Sequence, residues 1–410
     1  MSSAVHQALR SAYPQALATL NRITGDLEMA QDGLHVAVER ALLRWEGELP
    51  TEPVAWLVRA GRNTIIDQLR HRAMKERNDG ALRHALDTDR AFDDDLLPSA
   101  FRDDMARLVF TCCDPRLKPD TAVMLTLHTV AGLSIDEIAR AYLMKNSAVE
   151  RRITRARQAV RELEGGYQPP TQAELPARLD AALAVFMVLF TEGYTARETA
   201  PFLRPQLCEL AIRSTRILVR LFRSEAEVQG LLALMLLQHA RAKARLVPPD
   251  RLVSLEYQDR TLWDHGMRGE GLALVQKALM RKRLGPYQIQ AAIAAVHASA
   301  PDYQSTNWQE LVLLYDALLR HRPNAVVRLN RTVAVSRARG PKVGLALLRE
   351  LADEPSMSAY SPYFVVQGHL LAESGRSTEA LAAFAQALTL CTSPLQRRHL
   401  ERLLEELRTN

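Results

Sequence analysis

Apolar residues recur every three to four positions along most of the chain, with no clear strand-type alternation. Leu17, Leu20, Ile23 and Leu27 can share one helical face, and Leu34, Val38, Ala41, Leu42 and Trp45 the next. The stretch Gly47–Pro53 is rich in turn residues and separates this pair from a third helix predicted over Val54 to about Lys75. That helix has Trp56, Leu57, Ala60, Ile65, Ile66 and Leu69 on its apolar side. Its polar side is basic, with Arg59, Arg62, Arg70, Arg72, Lys75 and Arg77 against Asp67 and Glu76. Residues 78–100 lose the periodicity and carry Asp87, Asp89 and the run Asp93-Asp94-Asp95, which reads as a flexible acidic linker.

Helical character resumes at Phe101. Pro115 and Pro119 bracket a turn, and a helix over Thr121 to about Thr129 stops near Gly132. Two short helices with start signals follow. Ser134-Ile135-Asp136-Glu137 has capping-box spacing, in which the Ser oxygen accepts from an early amide and the Glu reaches back. Its helix is expected to run to about Tyr142. After the turn Leu143–Asn146, Ser147-Ala148-Val149-Glu150 repeats the cap pattern and opens a helix to about Leu163. Gly165-Gly166 and Tyr167–Thr171 then form a second linker.

From Glu174 onward only helices and short turns are expected, with breaks at Gly193, Pro205, Pro248-Pro249, Gly285-Pro286, Pro301, Pro323, Gly340-Pro341, Pro355 and Gly375. Around Gly375 the small and large residues Phe364, Gly368, Leu371, Ala380, Phe384 and Ala387 approximate a tetratricopeptide unit, in which small residues let two helices approach closely. Ala334, Gly340 and Ala346 give a weaker earlier copy, and Trp308–Leu319 with Pro323 suggests half of another. The expected fold class is all-α and multidomain.

Composition narrows the function classes. The chain has 410 residues but only 18 Gly and 20 Pro, below the roughly 12% typical of globular proteins, which fits a helical protein. The longest apolar runs, Ala181–Phe190 and Leu231–Leu237, are too short to span a bilayer. The N-terminal residues lack an apolar signal core, and four cysteines form no disulfide framework, so a cytoplasmic location is expected. The net charge of +6 is unevenly spread: residues 1–165 carry 23 Lys+Arg and 24 Asp+Glu. Overall basicity therefore says little about nucleic acid, and local clustering matters more.

The densest such cluster lies between Lys145 and Arg161, where six cationic residues face a single acid, Glu150. Ile135, Ile138, Ala139, Leu143, Val149, Ile153 and Ala156 can form the small core of a helix–turn–helix. A basic second helix on such a core can enter the major groove, with Arg pairing to guanine or phosphate. The bland alternative is a solvated basic face. Cys112-Cys113, with Asp114 and His128 nearby, does not match the C-x2–4-C spacing of zinc sites. Apolar flanks favour burial of both cysteines, and of Cys208 and Cys391. No metal, cofactor or catalytic residue is expected, because phosphate-binding, nucleophile-elbow, zincin and dinucleotide fingerprints are all absent.

The segment AWLVRAGRNTIIDQLRHR, residues 55–72, resembles the −10-reading helix of extracytoplasmic-function sigma factors. The segment from Phe110 to Glu162, containing FTCCDPRLKPDTAVMLTLHTVAGLSIDEIARAYLMKNSAVERRITRARQAVRE, resembles their region 4. The extension with TEGYTA, GLLALMLLQHARAKAR, GPYQIQAAIAAVHA and VVRLNRTVAVSRARGP resembles that of a subgroup with a C-terminal tetratricopeptide-like domain. The resemblance covers nearly the whole chain. It implies a sigma-2 domain over 1–77, the linker 78–100, a sigma-4 domain over 101–165, a linker over 166–176, a helical domain over 177–300 and tetratricopeptide-like repeats over 301–410.

It also implies partners and roles. Core RNA polymerase would be bound through its β′ clamp helices and β flap, with Asp32, Leu34 and His35 on the clamp side. Unstacked −10 bases would meet Trp56, Arg59, Arg62, Asn63 and Arg70. The −35 duplex would meet Lys145, Ser147, Arg151, Arg152 and Arg155. Promoter DNA and polymerase are thus the expected partners, with a further partner or intramolecular contact for the extension and none in a membrane. In the clamp-binding motif His35 and Val36 replace the usual polar and acidic residues, and Asp114 stands where the subgroup often has His. The His35–Val36 departure favours one rival, a DNA-binding regulator that does not use the clamp. Another rival is a tetratricopeptide scaffold, which would show no salt-dependent DNA affinity. A third is an enzyme hidden in residues 180–300, lined by Glu192, Tyr194 and His239.

Overall fold

The computed structural model describes residues 3–45, 49–76, 108–142, 144–162, 171, 173–194, 205–247, 251–391 and 393–409. The acidic segment 78–100, Leu143 and the linker Gly165–Pro170 lie outside the described residues. The architecture is all-α, as the periodicity predicts. The chain divides into two compact units. One comprises Met1–Glu192 with Glu209–Leu218, and the other Gly193–Cys208 with Val219–Asn410. The break therefore falls after the expected 166–176 linker, and the start of the extension belongs to the first unit.

The first unit opens with α1 (Ser3–Thr24), α2 (Leu27–Arg44) and α3 (Pro53–Glu76), which all pack on one another. Leu17, Leu20, Leu34, Leu57 and Ile65 are fully buried between them. Gly25 turns the chain at φ +65°, a value that favours glycine, and Asp26 caps α2 by accepting from the Glu28 and Met29 amides at 2.9 and 3.1 Å. Helices α2 and α3 touch at glycines. A Cβ on Gly33 would lie 2.5 Å from Ile65 Cγ1 and 2.9 Å from the Gly61 carbonyl oxygen. Trp45 stacks edge-on against Trp56 with centroids 5.3 Å apart, closing the bundle where α2 passes into α3.

A helical stretch over residues 108–112 leads to α4 (Pro119–Thr129), α5 (Ile135–Ala141) and α6 (Asn146–Glu162). Ile138, Ala139, Val149, Ile153 and Ala156 are buried and join α5 to α6. All four cysteines are free and buried. Helix α7 (Leu175–Tyr194) follows, and Arg178 in its first turn is buried in the first unit.

The second unit is built around α9 (Ala226–His239), whose residues Leu231–Leu237 are all buried. The preceding helix, α8 (Pro205–Leu221), has its residues Glu209–Leu218 in the first unit. Against α9 pack α11 (His265–Leu279) and α12 (Pro286–Ser299), with the short α10 (Ala242–Arg245) between α9 and α11 in sequence. Glycines permit the approach: a Cβ on Gly230 would meet the Gln288 backbone nitrogen at 2.6 Å. A succession of antiparallel helices then follows, each packed on the next: α13 (Trp308–His321), α14 (Ala325–Arg339), α15 (Pro341–Arg349), α16 (Ser361–Glu373), α17 (Ser377–Leu390) and α18 (Pro394–Thr409). Helices α16 and α17 approach closely. Gly368 lies under the Phe384 ring, where a Cβ would be 2.6 Å from Cε1, and Ala380 and Ala387 are fully buried.

The expectation of helices alone after Glu174 needs one correction. Leu246–Val247 and Arg251–Leu252 form a short antiparallel ladder, β1 and β2, followed by single 3₁₀ turns at Leu255–Tyr257 and Arg260–Leu262. Two-residue strands are too short to leave an alternating pattern in the sequence.

Candidate nucleic-acid interface

The capping box at Ser134 is formed in full. The Glu137 amide donates to Ser134 Oγ at 3.2 Å, and the Ser134 amide donates to Glu137 Oε2 at 2.8 Å. This fixes where α5 starts, and the buried face shared with α6 fixes how the second helix leaves it. The second cap differs from expectation. Helix α6 already begins at Asn146, so Ser147 lies inside the first turn, with the Lys145 carbonyl accepting from the Ala148 amide at 2.9 Å. Ser147 and Lys145 are both exposed at this end of the helix.

Lys145, Ser147, Arg151, Arg152 and Arg155 are all exposed. Among the described residues none of the four cations makes an ion pair, so their charge faces solvent. Ser147, Arg151 and Arg155 are spaced i, i+4, i+8, a stripe about 12 Å long at 1.5 Å per residue. That length matches the roughly 12 Å width of the B-DNA major groove. Opposite the stripe, Val149, Ile153 and Ala156 face the core. The interface is thus a cationic edge on a helix packed against the capped α5.

In α3, Arg59, Asn63 and Arg70 are exposed, whereas Trp56 and Arg62 are half-buried. Trp56, Arg59, Asn63 and Arg70 are spaced i, i+3, i+7, i+14 and share one side of the helix. On α2, Asp32 and His35 are exposed. Leu34 corrects the clamp-side reading: it is fully buried in the three-helix core and has no surface to offer a partner. The period of α2 turns position 34 inward along with Ala30, Ala37 and Ala41.

Two residues tie this unit together and were not singled out in the sequence. Tyr13 on α1 has its ring 6.5 Å from that of His35, and a Cβ on Gly132 would come within 3.9 Å of its Cδ1. Burial raises the Tyr13 phenol above its ordinary pKa, and the Arg157 charge partly opposes this. Arg178 donates to the Phe110 and Thr111 carbonyls at 3.0 and 3.1 Å and lies 3.8 Å from the Asp114 carboxylate. Asp114 also accepts from Arg116 at 2.9 and 2.6 Å. Burial alone would raise the Asp114 carboxyl. The hydrogen bonds from Arg116, and the charges of Arg116 and Arg178, outweigh it and hold the group below the usual carboxylate value. An Arg in the first turn of an otherwise apolar helix was the available signal for Arg178.

Both cysteines of the pair are buried, which disfavours their thiolate forms. Burial pushes the Cys113 thiol up to about 12 and the Cys112 thiol well above its ordinary value. Among the described residues no group of His, Cys, Asp and Glu could hold a metal ion.

A three-helix domain followed by a helix–turn–helix with an open cationic stripe defines a class of multidomain DNA-binding proteins. Comparison with known families gives the assignment. Residues 9–74 match the family model for sigma-70 region 2, and residues 109–160 match that for sigma-70, region 4. Residues 178–279 match a family of unknown function (DUF6596). The chain is also 40% identical over 403 residues to "Uncharacterized protein R00370" of Rhizobium meliloti (strain 1021), covering 98% of this chain and 95% of that protein. The chain belongs to the sigma-70 family of sigma factors and carries a C-terminal extension. Its function is to direct promoter-specific initiation, with core RNA polymerase and promoter DNA as partners. The match to region 2 as well as region 4 disfavours both a clamp-independent regulator and a scaffold.

Proposed function

We propose that the chain is a sigma factor of the extracytoplasmic-function group whose extension is a tetratricopeptide-like regulatory or partner-binding module. The observation that carries the DNA-reading assignment is the exposed stripe of Ser147, Arg151 and Arg155, flanked by Lys145 and Arg152 and without an ion pair among the described residues, on a helix packed against the one that the Ser134 capping box starts. These residues read the −35 element, and Trp56, Arg59, Arg62, Asn63 and Arg70 capture −10 bases. Asp32 and His35 meet the β′ clamp helices, while region 4 docks on the β flap. The protein acts in the cytoplasm and is not itself an enzyme, since sigma-70 family members are initiation factors and the polymerase supplies the catalysis. No helix of the described residues is long and apolar enough to cross a membrane.

The close packing of Gly368 on Phe384 supports the tetratricopeptide-like reading of the extension. The test is promoter-directed transcription with purified core polymerase on a promoter library, with and without this protein. Protein-dependent initiation at a shared −35/−10 pair supports the proposal. Polymerase binding and initiation both unaffected by Asp32→Ala and His35→Ala would overturn the clamp assignment. To test the extension, the chain should be cut after Leu221 and not at residue 176, because residues 177–192 and 209–218 belong to the first unit. Unchanged promoter activity and partner binding after that cut would refute a regulatory role.

A further inference from the structure

In the second unit two helix C-termini are held by arginines, and a third arginine lies beside them. Arg245 Nη1 donates to the Tyr194 carbonyl at the end of α7, and its guanidinium lies 4.0 Å above the Tyr194 ring. Arg241, just past the end of α9, donates to the Tyr194 hydroxyl at 2.8 Å and to Gln238 Oε1 at 2.6 Å. Arg260 Nη1 donates to the His297 and Ala300 carbonyls at the end of α12, at 2.7 and 2.6 Å. The 3₁₀ turn bearing Arg260 packs on α10, and the Asp264 amide donates to the Ala240 carbonyl at 2.9 Å, which brings the three arginines to one locus.

Helix capping accounts for part of this charge. Each helix C-terminus carries about −0.5 charge, so the two capped ends supply roughly −1 against three guanidinium charges, and the Asp302 carboxylate acts on Arg260 alone of the three. No carboxylate among the described residues forms an ion pair with Arg241, Arg245 or Arg260. Two donors are also left over: Arg260 Nη2 and Trp263 Nε1 are buried and have no hydrogen-bond partner among the described residues, and His297 Nδ1 beside them is likewise unpartnered. Trp263 is 3% exposed, and the Arg260 guanidinium lies 4.8 Å from its ring centre. Burial first, then the charges of Arg241 and Arg260, push the His297 pKa down to about 4, so the ring is neutral at physiological pH and adds no charge. Unspent donors beside a surplus of positive charge are the complement of an oxyanion, and the planar guanidinium fork suits both phosphate and carboxylate.

We propose that Arg241, Arg260 and Trp263 form a binding site for a small ligand bearing a phosphate or carboxylate group. The extension would then receive a soluble anionic effector, a role separate from promoter reading and independent of it. The experiment is thermal unfolding of the full chain titrated with inorganic phosphate or with malonate, against sodium chloride at matched ionic strength. Phosphate and malonate separate the two sources of the same oxyanion chemistry. A saturable rise in Tm with either anion, weakened at least tenfold in apparent Kd by Arg241→Gln and by Trp263→Phe, is expected. Trp263→Phe keeps an aromatic ring under the Arg260 guanidinium while removing the Nε1 donor with part of the indole, so it remains informative if an arginine variant does not fold. Arg151→Ala controls for phosphate bound at the DNA-reading helix. A response no greater than that of chloride, or one retained in both site variants, overturns the proposal and leaves the sigma-factor assignment untouched.

Discussion

Replacing Arg178 by Met should destabilise the first unit more than any surface substitution. The side chain makes two charged hydrogen bonds, to the Phe110 and Thr111 carbonyls, and lies 3.8 Å from Asp114. Methionine keeps much of the volume but leaves two carbonyls and a buried carboxylate without that donor. Breaking a buried charged pair of this kind costs about 3–5 kcal/mol. For a unit of about 200 residues, each kcal/mol shifts Tm by about 2–4 °C, so the first transition should fall by about 6–20 °C. The pH dependence gives a second reading. The Asp114 pKa is depressed in the folded state, so its contribution is fully present above the unfolded value of about 3.9 and is lost as pH falls through the folded value. The gap between wild type and Arg178→Met should therefore narrow below about pH 4, without closing, because the carbonyl bonds do not titrate. Scanning calorimetry at pH 7 and pH 3.5 measures both. A fall in Tm under about 2 °C at pH 7 would refute the argument that this arginine joins α7 to region 4.

Further outcomes follow from other contacts. Ser134→Ala should cost about 0.5–2 kcal/mol through loss of the cap on α5, read as a lower urea midpoint for the first unit. Arg151→Ala should weaken −35 duplex binding and, if the contact is to phosphate, reduce the slope of log K against log salt by about 1 in fluorescence titrations with polymerase holoenzyme. An unchanged slope with relaxed sequence preference would instead assign Arg151 to a base. Gly368→Ala should cost about 1–3 kcal/mol in the second unit, because its Cβ would sit 2.6 Å from the Phe384 ring. Phe384→Leu in that background should recover part of the loss, and no recovery would contradict steric overlap as the cause.

Much of the fold was legible along the chain because it rests on local physics. Helical period, the Ser134-to-Glu137 spacing and the Gly132 and Gly375 turns act within a few residues, and each appears where the sequence places it, whereas the turn at Gly25 was not read and puts Leu27 on α2 and not on the face of Leu17, Leu20 and Ile23. The basic stripe of α6 was legible for the same reason, since spacing alone sets which residues share a helix face. Leu34 shows the limit of motif reading: its place in a clamp-binding motif suggested a surface role, whereas packing against α1 and α3 buries it. Tertiary structure alone decided the contacts between distant segments. Arg178 meets carbonyls 67 and 68 positions earlier, and Arg260 meets carbonyls 37 and 40 positions later. A guanidinium in the sequence does not reveal which helix end it will satisfy, because the orphan carbonyls of a C-terminus can be met by any donor the fold brings near. The chain itself therefore determined the helices and the cationic edge of α6. Only the packing of those helices decided that α7 joins the first unit and that three arginines gather in the second.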